Sequence, residues 1–307
     1  MWENLSAEVQ QGHFKSLARC ISLIENEVAG YETFLQSLPA STTPIIGITG
    51  PPGAGKSTLV DSLIGLLVEQ NKKVAVLCVD PSSPFNLGAL LGDRIRMSNW
   101  YNHPNVFIRS LATRGSLGGL HPKILEIADV CKVANFDYVI VETVGVGQSE
   151  IEIAGLADST VVVLVPEAGD EVQTMKAGLM EIADIFVVNK ADRPEADLFV
   201  RNLRLMLAPA FATHQQEIPV VKTIATAPHA AAELLEKIQQ LLNLHQVNER
   251  RSWLLAEKAY YLLQQQRMKD ISKHDLKQQI DAAMQQMRSS GELLALFQKQ
   301  GLTLTAP

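Results

Sequence analysis

The chain has 307 residues, 47% hydrophobic and 20% charged, and its 27 Lys and Arg against 33 Asp and Glu leave a formal net charge of −6. Such a length buries a substantial core, either as one large α/β domain with helical additions or as two domains. The acidic balance and the lack of a long basic run exclude a nucleic-acid binder that relies on a broad basic surface, and favour protein or small-molecule partners.

The start, Met1-Trp2-Glu3-Asn4-Leu5, carries no signal-peptide pattern, and no apolar stretch reaches the roughly 18 residues of a membrane span, so a soluble cytoplasmic protein is expected. Cys20, Cys78 and Cys131 are widely spaced, two of them inside apolar runs, which fits a reducing compartment. Residues 5–38 place Phe14, Leu17, Ala18, Ile21, Ile24 and Val28 at helical spacing and end at Pro39, predicting one or two helices packed on the flank of the central domain.

From Pro44 to about Leu244, β-rich runs near 44–49, 73–79, 106–109, 137–142, 159–165, 184–189 and 218–223 alternate with segments of helical period. This predicts an α/β fold with a mainly parallel sheet covered on both faces, and ligands at the carboxyl ends of the strands. After about Val247 a Gln-, Arg- and Lys-rich helical stretch runs from Glu249 to Met287, followed by a short helix at 291–299. Its apolar positions, Trp253, Tyr260, Leu263, Met268 and Ile271 among them, form either a stripe for a partner or a face that folds back on the sheet. The expected organisation is an N-terminal helical extension over 1–40, a central domain over 41–246 and a C-terminal helical arm over 247–307.

The centre of the chain is Gly50-Pro51-Pro52-Gly53-Ala54-Gly55-Lys56-Ser57-Thr58, a phosphate-binding P-loop between the run Ile45-Ile46-Gly47-Ile48-Thr49 and a helical pattern from Leu59. Its glycines let backbone N–H groups close around a polyphosphate, Lys56 reaches the β- and γ-phosphates, and Ser57 offers a hydroxyl to Mg²⁺. A second motif, Asn189-Lys190-Ala191-Asp192, comes after the run Ile185-Phe186-Val187-Val188. The Asp192 carboxylate can accept both N1–H and N2–H₂ of guanine, whereas adenine presents the opposite polarity at N1, so GTP is selected over ATP. Thr223-Ile224-Ala225 after the last run could supply backbone donors to guanine O6.

The run Tyr138 to Glu142 ends in an acid, with Gly145 three residues later. Glu142 then either touches Mg²⁺ through water, with the Gly145 N–H near the γ-phosphate, or simply caps a strand. Asp80, in Asp80-Pro81-Ser82-Ser83-Pro84, and Asp93, in Gly92-Asp93-Arg94-Ile95-Arg96, are hard oxygen ligands for the same ion, or a strand-end turn and a helix N-cap respectively. Arg109 to Gly119 reads as a glycine-rich, basic loop at a strand end that approaches phosphate or a partner.

Together with Glu142-Thr143-Val144-Gly145-Val146-Gly147-Gln148-Ser149-Glu150, these motifs resemble the MeaB/ArgK family of metallochaperone-type P-loop GTPases over roughly residues 10–245. The resemblance implies a homodimeric GTPase that binds GTP and GDP with Mg²⁺ and serves an adenosylcobalamin-dependent acyl-CoA mutase, methylmalonyl-CoA mutase above all. It implies gated cofactor delivery and protection or rescue of that enzyme, with a cobalamin adenosyltransferase as a further partner; the charge balance and the lack of an apolar span already lead to the expectation of no nucleic acid and no membrane. It places Ser57, Asp80, Asp93 and Glu142 around Mg²⁺, and makes Gly169-Asp170-Glu171-Val172-Gln173-Thr174-Met175-Lys176 a switch loop. In that loop Gln173 and Lys176 join Lys56 and Glu142 as working residues, although from the sequence alone Lys176 is also readable as an exposed helical lysine. The departures lie at the C-terminal end, where Ala227-Pro228-His229 replaces the family's Gly-rich turn and the arm matches least.

Three other readings compete. A nickel-delivering relative would hold metal through close Cys and His pairs, and the chain has no CxxC or Cys-x-His. An ATP-dependent kinase of a periplasmic amino-acid-binding protein is opposed by Asp192. A GTP-binding scaffold without useful hydrolysis is separated by single-turnover measurements.

Overall fold

The computed structural model describes residues 1–80, 97–113, 120–145, 149–168, 182–211 and 218–244, with single helical positions between 252 and 281. All seven predicted β-rich runs are strands: β1 Ile45–Thr49, β2 Val74–Asp80, β3 Val106–Ala112, β4 Tyr138–Glu142, β5 Ser159–Leu164, β6 Ile185–Val188 and β7 Val220–Lys222. They form one sheet in the order β3-β2-β4-β1-β5-β6-β7, with every pairing parallel. The helices among the described residues are α1 Trp2–Gln10, α2 Phe14–Glu25, α3 Tyr31–Gln36, α4 Lys56–Glu69, α5 Ile124–Lys132, α6 Ser149–Leu156, α7 Ala196–Phe211 and α8 Ala232–Asn243.

Both sheet faces are covered, and the strand sequences show why. In β2 every residue is buried. Val74, Val76 and Cys78 join a core with Leu59 and Leu63 of α4, Leu203 of α7 and Ile238 of α8. Ala75, Leu77 and Val79 turn the other way, into a core with Ile21 of α2, Ile127 of α5 and Ile153 of α6. A strand buried on both faces reads as a continuous apolar run, and each fully buried aliphatic side chain contributes about 1.5–3 kcal/mol. At Gly47 in β1 a Cβ would lie 2.6 Å from Ile153 and 2.9 Å from Ala157, so the glycine admits α6 directly onto the strand.

The N-terminal segment forms three helices where one or two were predicted. The chain turns at Gly12, with φ 81°, and again between Asn26 and Gly30, where Glu27 takes φ 50° and Gly30 φ 88°. Apolar periodicity runs on through the second of these turns and therefore hides it. Leu17, Cys20, Ile21 and Ile24 of α2 are buried in the second core, and Phe14 packs on Phe107 and Phe136 with ring centroids 5.6 and 5.7 Å away. Trp2 stacks on Phe34 and donates its indole N–H to Ala29 O at 2.9 Å, which closes α1 over α3. Burial pushes the Cys20 thiol up to about 12 and raises that of Cys131 further, helped by Cys20 itself, so both stay protonated and inert at neutral pH.

Strand β3 is longer than predicted, reaching Ala112 beside Asp80. Arg109 and Ser110 looked like the start of a polar loop, but Arg109 is inside the strand. Its guanidinium donates to Ser22 Oγ at 3.0 Å and pairs with Glu25 at 2.5 Å, both on α2. The phosphate role expected of this stretch is therefore not available to Arg109, whose charge is spent on α2; residues 114–119 lie outside the described residues.

Met1–Leu254 forms one compact unit and Leu255–Pro307 a second. The described positions between 252 and 281 are helical and exposed, Trp253, Tyr260 and Leu263 among them. Among the described residues no helix is long and apolar enough to cross a membrane.

Candidate functional site: a nucleotide site at the strand ends

Strand β1 stops at Thr49 and α4 begins at Lys56, so the six residues between them form the tight P-loop the sequence predicts. Gly55, with φ 89°, opens α4, whose N-terminus carries no side-chain cap, leaving the backbone donors of its first turn for an anion. Lys56 is 6% exposed, and its ammonium donates to Gly50 O at 2.9 Å and Pro51 O at 3.1 Å. The cation is thus held within the loop. Ser57, also buried, donates its hydroxyl to Glu142 Oε1 at 2.7 Å.

The acids come from neighbouring strand ends. Glu142 closes β4 between Ile48 and Cys78, and Asp80 closes β2, each 2% exposed. Strand order β2-β4-β1 therefore sets Asp80, Glu142 and the P-loop along one edge of the sheet. Gly145, with φ 84°, lies against the loop: a Cβ there would sit 2.3 Å from Gly50 O and 2.6 Å from Lys56 Nζ. Only glycine permits this contact. One further bond joins these segments, between the buried hydroxyls of Thr49 and Thr143 at 2.9 Å.

The second motif lies just past β6. Asn189 is buried, donates its amide to Ala54 O at 2.8 Å, and accepts from Thr223 Oγ1 at 3.1 Å and Ala225 N–H at 3.0 Å. One side chain thereby ties the phosphate loop to the ends of β6 and β7. Lys190, with φ 56°, reaches back to Gly53 O at 2.9 Å. Asp192 stands exposed in the turn that Arg193 N–H closes on Lys190 O. The Ala225 N–H, expected to serve guanine O6, is committed to Asn189, while Ile224 is 38% exposed beside it. Arg193 forms an ion pair with Glu167, just after β5.

The donor set fits a hard divalent cation bound to phosphate. Ser57, Asp80 and Glu142 supply oxygen only, and no cluster of three His, Cys, Asp or Glu that could hold a metal occurs among the described residues. Mg²⁺ bound with phosphates needs one or two protein oxygens and water rather than a protein cage. Asp93, Gln173 and Lys176 lie outside the described residues, as do Val146 to Gln148.

A family model described as methylmalonyl-CoA mutase-associated GTPase MeaB matches residues 17–284. The chain belongs to the MeaB family. It is 45% identical over 243 residues to a Pyrococcus horikoshii protein that carries a GTPase name, across 78% of this chain and 77% of that one. It is also 40% identical over 190 residues to the GTPase ArgK of Escherichia coli, covering 60% and 57% of the two chains. Among solved structures, one described as a LAO/AO transport system kinase superposes with a TM-score of 0.65 at 25% identity, over 97% of this chain and 96% of that one. As a MeaB-family member with a P-loop fold, the chain is a GTPase.

Two features of this MeaB-family site escape motif reading: the Thr49–Thr143 bond and the Arg193–Glu167 pair. The first spans 94 residues of sequence, and its only local sign is a threonine at each strand end beside a motif glycine or acid.

Proposed function

We propose that the chain hydrolyses GTP to chaperone an adenosylcobalamin-dependent acyl-CoA mutase, gating cofactor loading and protecting or reactivating the enzyme. The family description supports methylmalonyl-CoA mutase as that partner, and a mouse relative, 42% identical over 160 residues, is named a methylmalonic aciduria type A homolog. That match covers 52% of this chain and 38% of the mouse protein.

The observation that carries the nucleotide chemistry is the convergence on Lys56: its ammonium lies on the P-loop carbonyls, Gly145 abuts it, and its neighbour Ser57 is bonded to Glu142. In this reading Gly50 to Thr58 bind the phosphates. Lys56 exchanges two carbonyl acceptors for phosphate oxygens, and Asn189 and Lys190 hold the base loop while Asp192 reads guanine. Ser57, Asp80 and Glu142, with Asp93 from the family resemblance, hold Mg²⁺, which when bound neutralises charge on the phosphates. Lys56 and Glu142 then stabilise and orient the reacting groups, and Gln173 and Lys176 respond to the partner. The exposed Trp253, Tyr260 and Leu263 support a homodimer formed through the 247–307 arm, and the cytoplasm is the proposed compartment.

The test is affinity capture with the chain loaded with GDP or a non-hydrolysable GTP analogue, together with hydrolysis assays on GTP and ATP. Nucleotide-dependent capture of an acyl-CoA mutase and hydrolysis confined to GTP are expected. Transfer of phosphate from ATP to an amino-acid-binding protein would overturn the reading in favour of a kinase.

A further inference from the structure

Thr49 and Thr143 form a buried hydroxyl pair beside the phosphate site. Thr49 is the last residue of β1, 0% exposed, and leads straight into Gly50; Thr143 comes directly after Glu142 at the end of β4 and is 2% exposed. Their hydroxyls bond to each other at 2.9 Å, and the Thr143 N–H donates to Ile48 O at 3.0 Å. The two phosphate-facing segments are therefore joined twice at the same level, once through backbone and once through side chains. Just beyond the joint, Gly145 meets Gly50 O and Lys56 Nζ.

Folding alone does not call for hydroxyls here. Two valines would occupy nearly the same volume, while buried hydroxyls carry a desolvation cost that a single mutual bond only partly offsets. The pair owns two O–H hydrogens and uses one in the mutual bond, and among the described residues neither hydroxyl makes another. The backbone ladder from Ile45–Val139 to Ile48–Glu142 already sets the register of the two strands. What the pair adds is a side-chain tie just past the last ladder pair, where β4 gives way to the segment that carries Gly145 against Lys56 and follows Glu142 against Ser57. Both placements concern the groups that meet charge developing on the phosphate, where small displacements are costly.

We propose that the Thr49–Thr143 hydroxyl pair is a positioning device for hydrolysis that locks the Glu142–Gly145 segment onto the P-loop. It rests on the P-loop reading of the site. Neither threonine touches nucleotide in this role, so binding of the diphosphate is spared.

The experiment compares Thr143→Val, Thr143→Ser and the double variant T49V/T143V with the parent chain. The readouts are displacement of a fluorescent GDP analogue, single-turnover GTP hydrolysis and thermal melting. We expect T143V and the double variant to hydrolyse GTP at least tenfold more slowly, with GDP affinity within twofold of the parent. Thr143→Ser, which keeps the hydroxyl, should recover most of the rate. The double variant strands no hydroxyl and is expected to melt at or above the parent temperature, so it remains informative if T143V folds poorly. A double variant with the parent hydrolysis rate overturns the proposal and makes the pair a packing feature. A parent chain that binds no GDP would instead remove the P-loop reading beneath it.

Discussion

Asp192 carries the choice of base, and its setting suits the task. Asn189 and Lys190 are anchored to the P-loop backbone, while Asp192 projects from the turn they fix. Asp192→Asn puts a donor where guanine needs an acceptor, at a cost of about 2–3 kcal/mol, or roughly 30- to 150-fold in GTP affinity. Xanthine nucleotides should gain correspondingly in a competition titration, and unchanged GTP affinity would sink the base-reading role. The acids at the β2 and β4 ends call for a different readout. Asp80→Ala and Glu142→Ala should lower kcat by about tenfold or more while changing GDP affinity less, because the charge they serve grows in the transition state. Side-by-side kinetics and GDP binding check this, and equal losses in both would return the two acids to a strand-end role.

The elements are legible where burial writes itself into sequence. Strands β1, β2, β5 and β6 show as apolar runs because they are buried throughout, the short edge strand β7 carries the exposed Lys222, and the end of β3 escapes notice because Arg109 and Ser110 interrupt the run. Arg109 is tolerated there only through Glu25 and Ser22, partners on α2 more than 80 positions away that no local pattern announces. The site divides the same way. Contiguous motifs around Lys56 and Asp192 are readable, whereas the Thr49–Thr143 bond depends on β1 and β4 being neighbours. Helix α2 also yields an element-scale prediction. Ile21 is 0% exposed in the core shared with β2 to β4, so Ile21→Ala should destabilise the first compact unit by about 2–5 kcal/mol. Denaturant melts paired with GDP binding would measure it; a loss below about 0.5 kcal/mol would show α2 to be a loosely docked addition.

At the scale of the whole molecule, the described site assembles the means to hold GTP but not a means to hydrolyse it fast. Among the described residues, Arg109 inside β3 is engaged with Glu25, and Arg193 in the turn after β6 with Glu167. Neither stands ready as an arginine finger, a group worth about 10³–10⁵ in rate where GTPases use one. Under the proposed function the isolated chain is expected to turn over slowly, with a partner completing the site. Segment 169–176 follows the Pro166–Ala168 turn in sequence and carries Gln173 and Lys176, the residues proposed to respond to the mutase. The cognate mutase should accordingly accelerate hydrolysis at least about tenfold, a lowering of the barrier by roughly 1.4 kcal/mol. Lys176→Ala should abolish most of that acceleration while basal hydrolysis and complex formation change little. If the mutase stimulates the Lys176→Ala variant as strongly as the parent, coupling runs through another segment, and residues 114–119, next to the α2-anchored strand β3, become the place to mutate next.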